Sequence, residues 1–129
     1  MIKTTALKKI YKTEEIETTA LYEVDMHIKA GEFIAITGPS GCGKSTLLNI
    51  LGMIDKPDGG EYYFNDVPIA GFNEKQRANL RKNNIGFIFQ SFNLVNELTV
   101  FENVELPLLY TGMGNSERTQ KVDALLDQM

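Results

Sequence analysis

The sequence predicts an α/β fold, in which a buried strand leads through a glycine-rich loop directly into a helix. Residues 33–37 form a short apolar run with β-branched members, typical of a strand covered on both faces. The stretch GPSGCGKSTLLNI at residues 38–50 follows at once, and its second half predicts a helix from about residue 44 to 53. With 129 residues, 43% hydrophobic and 23% charged, the chain has the composition of one globular domain.

Further elements follow from periodicity and turn signals. Residues 22–29 alternate, with Val24, Met26 and Ile28 on the buried side of a predicted strand. His27 lies on the polar side and has no second ligand at metal-binding spacing, so we interpret it as solvated. The turn-rich run KPDGG precedes a strand at 61–64, a helix is predicted from Asn73 through residue 82, and residues 85–90 predict another short strand.

The last third of the chain predicts two helices. Thr99 and Glu102 match a capping box, so a helix should begin at Val100 and be disturbed at Pro107. The final stretch, SERTQKVDALLDQM, should form a helix that shows no stop signal. It places four apolar residues on one helical face, namely Val122, Leu125, Leu126 and Met129. Since we find no repeat or linker, the sequence gives no reason to divide residues 1–129 into more than one domain.

Charge, hydropathy and cysteine content limit the partners and the location that we expect for the chain. A formal net charge of -4 argues against general attraction to nucleic acid or to an anionic membrane surface. The basic residues Arg77, Arg81 and Lys82 are interpreted as a solvated helix face. No apolar run is long enough to span a membrane or to serve as a signal peptide, and Cys42 is the sole cysteine. A cytoplasmic location is therefore expected.

The glycine-rich loop has the chemistry of a phosphate site. Residues 38–45 satisfy G-x-x-x-x-G-K-S between a predicted strand and a helix. Glycines let successive N–H groups converge on an anion, and the positive end of the helix reinforces them. Lys44 would reach the β- and γ-phosphates, and the Ser45 hydroxyl would ligate Mg²⁺. The predicted ligand is a nucleoside triphosphate with Mg²⁺, and the predicted contacts are Gly38, Pro39, Ser40, Gly41, Cys42, Gly43, Lys44, Ser45 and Thr46.

Cys42 has two interpretations. Its place at a helix N-terminus beside Lys44 would make the thiol reactive. Alternatively, cysteine is present because it is small enough for the loop. The sequence leaves both open.

The ordered set of motifs resembles the N-terminal part of the ATP-binding subunits of ABC transporters, and especially the group serving lipoprotein release, macrolide export and antimicrobial-peptide export. Three stretches carry the resemblance over nearly the whole chain: IYKTEE, the run from LYEVDMHIKAGEF through the glycine-rich loop to GGEYYF, and IGFIFQSFNLVNELTVFENVELPLLY. The resemblance implies a phosphate-loop core sheet with an N-terminal antiparallel β portion. The D-x-x-G and N-K-x-D elements expected of a GTPase are absent from the sequence.

The resemblance also assigns roles outside the loop. Tyr11 matches the aromatic residue that stacks on adenine, a contact type worth about 1–3 kcal/mol in nucleic-acid systems. Gln90 matches the glutamine that reaches Mg²⁺ and the attacking water, so the metal contacts would be Ser45 and Gln90. The segment after it would face the membrane subunits, and Phe92 or Leu94 could either contact those partners or pack in the core.

The family's downstream elements do not occur in this sequence: the L-S-G-G-Q signature, the strand ending in a metal-holding Asp and a catalytic Glu, and the switch histidine. We therefore expect a truncated piece that binds ATP without hydrolysing it, contains no catalytic residue, and self-associates or is marginally stable. The parent would form a homodimer of ATP-binding domains, bound to the inner face of the membrane through its membrane subunits, and would power export or extraction. The alternatives are a stand-alone regulatory module without turnover and, less favoured for lack of an arginine-rich lid, a small phosphate-loop kinase.

Overall fold

The structure is a computed structural model that describes residues 1–128. It divides into two compact units, Met1–Arg81 and the segment from Lys82 onward. The first contains β1 (Ile2–Lys12), β2 (Glu17–Ile28), α1 (Lys44–Leu51), β3 (Gly59–Phe64), β4 (Val67–Pro68) and most of α2 (Glu74–Asn84). The second contains α3 (Val100–Glu105), a 3₁₀ helix (Leu106–Tyr110) and α4 (Asn115–Leu126).

The first unit is built on a four-stranded antiparallel sheet in the order β2-β1-β3-β4. Helix α1 packs against this sheet, because it contacts β2 and because the Tyr62 hydroxyl on β3 donates to the Leu51 carbonyl at the end of the helix. The strand predicted at residues 22–29 and the one at 61–64 are confirmed, as are α1 and α2. The buried apolar residues are Leu7, Leu21, Leu47, Ile50, Leu51, Met53, Tyr62 and Ile69.

The N-terminal antiparallel β portion that the resemblance implies is confirmed, but periodicity alone did not predict β1, because its side-chain alternation is broken. Its buried residues are Thr4, Leu7 and Lys9, a spacing of three and then two. The register with β2 shifts between Thr4 and Leu7, and Ala6 has a positive φ of 47°. Opposite this bulge only a glycine fits, because a Cβ on Gly60 would lie 2.2 Å from the Ala6 carbonyl oxygen.

The strands predicted at residues 33–37 and 85–90 are wrong for this structure. Both segments lack regular secondary structure, and Phe33 and Ile88 are almost fully exposed, at 97% and 103%. A strand exists only where its N–H and C=O groups meet those of a neighbouring strand. Within residues 1–128, neither segment pairs with one. The apolar composition of these segments predicted both pairing and burial, and neither is found in the described residues.

The interpretation of the basic cluster as a solvated face is also wrong for its two arginines. Arg77 is 8% exposed, and its guanidinium donates to the Phe72 carbonyl and pairs with Glu74. Arg81 is half-buried and donates to the Met53 carbonyl at 2.5 Å. Long aliphatic stems let arginine reach inward from a helix and satisfy main-chain acceptors. Only Lys82 is exposed.

The second unit confirms the predicted helix start at Val100. The Thr99 hydroxyl accepts from the Glu102 N–H at 3.2 Å, and the Glu102 carboxylate accepts from the Thr99 N–H at 2.7 Å. The Glu102 carboxylate accepts from both the N–H and the hydroxyl of Thr99, and these two bonds hold the pKa of Glu102 below its ordinary value. The regular α-helix gives way to a 3₁₀ helix that contains Pro107, as expected for a residue without an N–H.

The predicted apolar face of α4 is only partly confirmed. Val122 is fully buried and Leu126 is half-buried, but Leu125 is 48% exposed. Met129, the fourth member of that face, lies outside the described residues. In the described part of the chain, no helix combines the length and apolar composition that a bilayer crossing requires.

Tyr62 provides a test of the packing that holds α1 to the sheet. Its buried hydroxyl donates to the Leu51 carbonyl at the end of α1, and burial raises its pKa. We expect Tyr62→Phe to lower the free energy of unfolding by about 1–2 kcal/mol, because a buried carbonyl loses its donor. Denaturant unfolding measures this. The control is Tyr63→Phe, next on β3 and half-buried; equal losses in the two variants would contradict the assignment.

Candidate functional site

The glycine-rich loop takes a conformation that only glycine allows at two positions. Gly41 and Gly43 have φ of 81° and 92°. Gly43 also approaches β2 closely, since a Cβ there would lie 2.4 Å from the Ala20 carbonyl oxygen and 3.1 Å from a methyl group of Leu21. At Gly41 a Cβ would meet nothing within 4 Å. The loop is therefore fixed to the sheet at one end and open at its tip.

Helix α1 begins where the loop ends, and its first turn has free donors. Gly43 is the N-cap and supplies no side-chain acceptor, and the first turn contains no acidic residue. The first intrahelical bond runs from the Leu47 N–H to the Gly43 carbonyl. The N–H groups of Lys44, Ser45 and Thr46 therefore have no acceptor within the helix. Together with the helix dipole, they favour an anion at this position.

Lys44 lies across the loop rather than extending into solvent. Its ammonium donates to the carbonyls of Gly38 and Pro39, at 2.8 and 2.7 Å, and lies 3.7 Å from the Cys42 sulfur. An ammonium group has three donors, and a thiol is the weakest of these three acceptors. An anion that replaced the sulfur would therefore gain a charge-assisted bond without disturbing the two carbonyl contacts.

The remaining side chains of the loop are accessible. Ser40, Cys42 and Ser45 are exposed, and Thr46 is half-buried. The Ser45 hydroxyl follows the lysine immediately, so an oxygen ligand stands beside the cationic group at the start of the helix. The exposure of Cys42 fits both of its interpretations, as a reactive thiol and as a small loop residue.

Tyr11 lies at the same end of the β1–β2 pair as the loop. It pairs with Thr18 on β2, two residues from the Ala20 carbonyl on which Gly43 packs. Tyr11 is 44% exposed, and its hydroxyl donates to an Asp55 carboxylate oxygen at 3.3 Å. The sheet thus carries both the phosphate loop and the aromatic residue expected to stack on adenine.

Two residues near Tyr11 were missed by the sequence reasoning. The Lys9 ammonium donates to one Asp55 carboxylate oxygen at 3.0 Å and lies 2.9 Å from the other. Burial alone would raise the pKa of Asp55, but the hydrogen bonds from Lys9, the Lys56 N–H and Tyr11 outweigh it, and the pKa lies below its ordinary value. The available signal was the spacing of Lys9 and Tyr11, which places them on one face of a strand.

Gln90 belongs to the second unit, whereas Tyr11 and the loop belong to the first. It is exposed, in a segment without regular structure. Phe92 and Leu94 are 92% and 62% exposed, so neither packs in the core of the described structure. They contribute to an apolar groove of about 480 Å³ whose other lining residues are Val95, Asn96, Leu98, Val100, Asn103 and Val104. The roles of Gln90 and of this groove remain predictions.

His27 is exposed on β2, as expected for a solvated residue. Among residues 1–128, no group of three or more histidine, cysteine, aspartate or glutamate side chains is arranged to hold a metal ion. A metal in the loop would accordingly depend on Ser45 together with oxygens of the ligand.

Comparisons with known proteins extend these findings. A family model described as ABC transporter matches residues 21–129. The chain is 44% identical to the macrolide export ATP-binding/permease protein MacB of Azoarcus sp., over 98% of the chain and 19% of MacB. It is 43% identical to the uncharacterized ABC transporter ATP-binding protein MJ1508 of Methanocaldococcus jannaschii, over 100% of the chain and 58% of that protein.

A solved structure gives the same result. The dimeric post-hydrolysis state of the ATP-binding cassette MJ0796, bound to ADP and Pi, is similar with a TM-score of 0.87 and 42% identity, over 98% of this chain and 56% of that one. The chain thus spans about half the length of MJ1508 and MJ0796. The α/β class and the resemblance to lipoprotein-release and macrolide-export cassettes are confirmed.

Alanine substitutions at two glycines test the anchoring of the loop. We expect Gly43→Ala to destabilise the chain more than Gly41→Ala, because both strain a positive φ but only Gly43 meets the Ala20 carbonyl. The shared backbone strain costs about 1–2 kcal/mol, and the clash adds to it at Gly43. Urea unfolding of the two variants measures the difference. Equal destabilisation would mean that Gly43 does not pack on β2.

Acid titration tests the environment of Asp55. Because its pKa is lowered in the folded chain, the carboxylate stabilises the fold above the unfolded value of 3.8, and this contribution is lost as the pH falls through the folded pKa. We expect the difference in unfolding free energy between wild type and Asp55→Asn to shrink between about pH 5 and pH 2. Glu14→Gln, in the exposed β1–β2 turn, controls for the change in net charge. A pH-independent difference would contradict the assignment.

Proposed function

Because the chain belongs to the ABC transporter family, we propose that it forms the part of an ATP-binding cassette that holds the phosphates and the base of ATP. The observation that carries this proposal is the start of α1. Three N–H groups without helical acceptors, an N-cap without a side chain and the Lys44 ammonium lie together there, and the first helical turn contains no carboxylate.

The residues present fit a triphosphate. The glycines leave the backbone accessible at Gly41, and Lys44 can turn its third donor from the Cys42 sulfur toward a phosphate oxygen. Mg²⁺, when bound with ATP, would neutralise charge between the β- and γ-phosphates. The exposed Ser45 hydroxyl is the group of this loop that would hold it, with Gln90 as the proposed second contact. Tyr11 would bind the adenine base by stacking.

Hydrolysis is proposed for the whole protein and not for this chain alone. A water attacking the γ-phosphate must be positioned or deprotonated. Residues 38–46 contain no aspartate, glutamate or histidine that could act as a base. We therefore propose that residues 1–129 bind ATP without turnover, and that a second cassette completes the site. The dimer of MJ0796 in its ADP- and Pi-bound state supports this assembly by analogy.

The whole protein is proposed to couple ATP use to export or extraction of a substrate by membrane subunits. MacB, whose name describes an ATP-binding/permease protein, joins these two activities in one protein and supports the analogy. The exposed Phe92 and Leu94 in the apolar groove are the proposed contacts with such a membrane partner. The chain would then lie at the cytoplasmic face of the membrane through its partner.

Calorimetry with Mg-ATP tests the proposal, with phosphate release followed in the same samples. We expect Lys44→Ala to weaken binding at least about tenfold, because a charge-assisted bond to phosphate is lost. Lys75→Ala, an exposed lysine on α2, is the matched control and should bind like the wild type. No phosphate should be released. Binding that is unaffected by Lys44→Ala, or turnover by the wild-type chain, would contradict the proposal.

A further inference from the structure

The buried ammonium of Lys9 joins β1 to the segment after α1. The Lys9 side chain is only 8% exposed, and besides both Asp55 carboxylate oxygens it donates to the Lys56 carbonyl at 2.9 Å. A second carboxylate, that of Asp58, lies 3.8 Å away and accepts from the Ile10 N–H. These contacts hold the ammonium from several sides, so the lysine side chain cannot move freely as an exposed one would.

The same two groups hold the Tyr11 ring. The Lys9 ammonium lies over the ring, 5.2 Å from its centroid, and the Asp55 carboxylate accepts from the Tyr11 hydroxyl. One contact constrains a face of the ring and the other constrains its far end. An exposed tyrosine at the end of a strand would otherwise sample several rotamers, and each of them would present a different surface to a ligand.

We propose that Lys9 and Asp55 are positioning residues for base binding, which hold Tyr11 so that the ring face not covered by the ammonium is offered to adenine. This inference rests on the proposed function, in which Tyr11 stacks on the base. Because the cation occupies one face of the ring and Tyr11 is still 44% exposed, a base has a single preorganised surface on which to stack. Because the ring is already held in place, we expect less conformational entropy to be lost when the base binds.

The neighbouring residue provides an internal comparison. Lys8 lies over the Tyr22 ring at the same distance, 5.2 Å, and pairs with Glu23 at 3.0 Å. Successive residues of a strand point to opposite faces, so this second arrangement lies away from Tyr11. Its lysine and glutamate side chains are 38% and 50% exposed, and Tyr22 is 70% exposed. Lys8 and Tyr22 thus make the same type of contact as Lys9 and Tyr11, but their lysine is not buried.

The test separates base binding from phosphate binding by using two probes, Mg-ATP and Mg-tripolyphosphate, in calorimetry with the full chain. We expect Lys9→Met to weaken ATP binding about fivefold and to leave tripolyphosphate binding unchanged, while Lys9→Arg restores ATP affinity to within about twofold. In a Tyr11→Ala background, Lys9→Met should cause no further loss. The matched control Lys8→Met should bind both probes like the wild type.

Equal ATP affinity of Lys9→Met and wild type, or a parallel loss for both probes, would overturn the inference. Because Lys9 is buried, a second variant is needed in case Lys9→Met does not fold. Tyr11→Phe keeps the ring and removes only the contact with Asp55, and we expect it to weaken ATP about twofold with tripolyphosphate unchanged. Unchanged ATP binding by Tyr11→Phe would then count against Asp55 as a positioning residue.

If the proposed function itself is wrong, the same experiments give a different set of results. Wild-type chain that binds neither probe would overturn the phosphate site and the inference that rests on it. If both probes bind but Tyr11→Ala leaves ATP affinity unchanged, the base does not stack on Tyr11. If Tyr11→Ala weakens ATP alone and Lys9→Met does not, only the positioning role is wrong.

Discussion

The close approach of Gly43 to the Ala20 carbonyl is the constraint on which the rest of the site depends. It fixes the end of the loop against β2, and α1 begins at the next residue, so the direction of the helix follows from this contact. The unsatisfied N–H groups of the first turn then point to one place. Buried contacts of α1 with the sheet, including the Tyr62 hydroxyl on the Leu51 carbonyl, hold the other end of the helix.

Two lysines in the first unit act on the site in different ways. Lys44 stays near the loop through carbonyl acceptors, which leave its charge uncompensated and available to an anion. Lys9 is paired with Asp55 and buried, so its charge is compensated and its function is positional. The strand pair β1–β2 thus supports both the proposed phosphate-binding loop and the proposed base-binding tyrosine. A different lysine acts at each of the two.

The sequence predicted features that depend on local chemistry. The loop and α1 follow from glycines that permit positive φ and from a helix-favouring run, and the start at Val100 follows from a capping box formed within four residues. Strand β1 could not be predicted from periodicity, because the bulge at Ala6 shifts the buried positions, and only the family resemblance implied a β portion there. The apolar runs at 33–37 and 85–90 were expected to pair, but pairing depends on distant backbone that local composition does not specify.

For a related reason, the sequence predicted some residues of the candidate site and missed others. Lys44 and Ser45 belong to one continuous motif, whereas Lys9 and Asp55 meet only because the chain folds back after α1. The half-buried Arg81 was misread because a charged residue on a helix usually points to solvent, and only the fold provides the Met53 carbonyl as its acceptor. Contacts between distant residues therefore required the structure.

The most direct test of the account is an amide NMR titration of the chain with Mg-ATP. We expect the N–H resonances of residues 41–46 to shift strongly as these groups bind phosphate, together with those of residues near Tyr11. Shifts confined to other parts of the chain, with the loop amides unmoved under saturating ATP, would contradict the claim that the start of α1 is the nucleotide site.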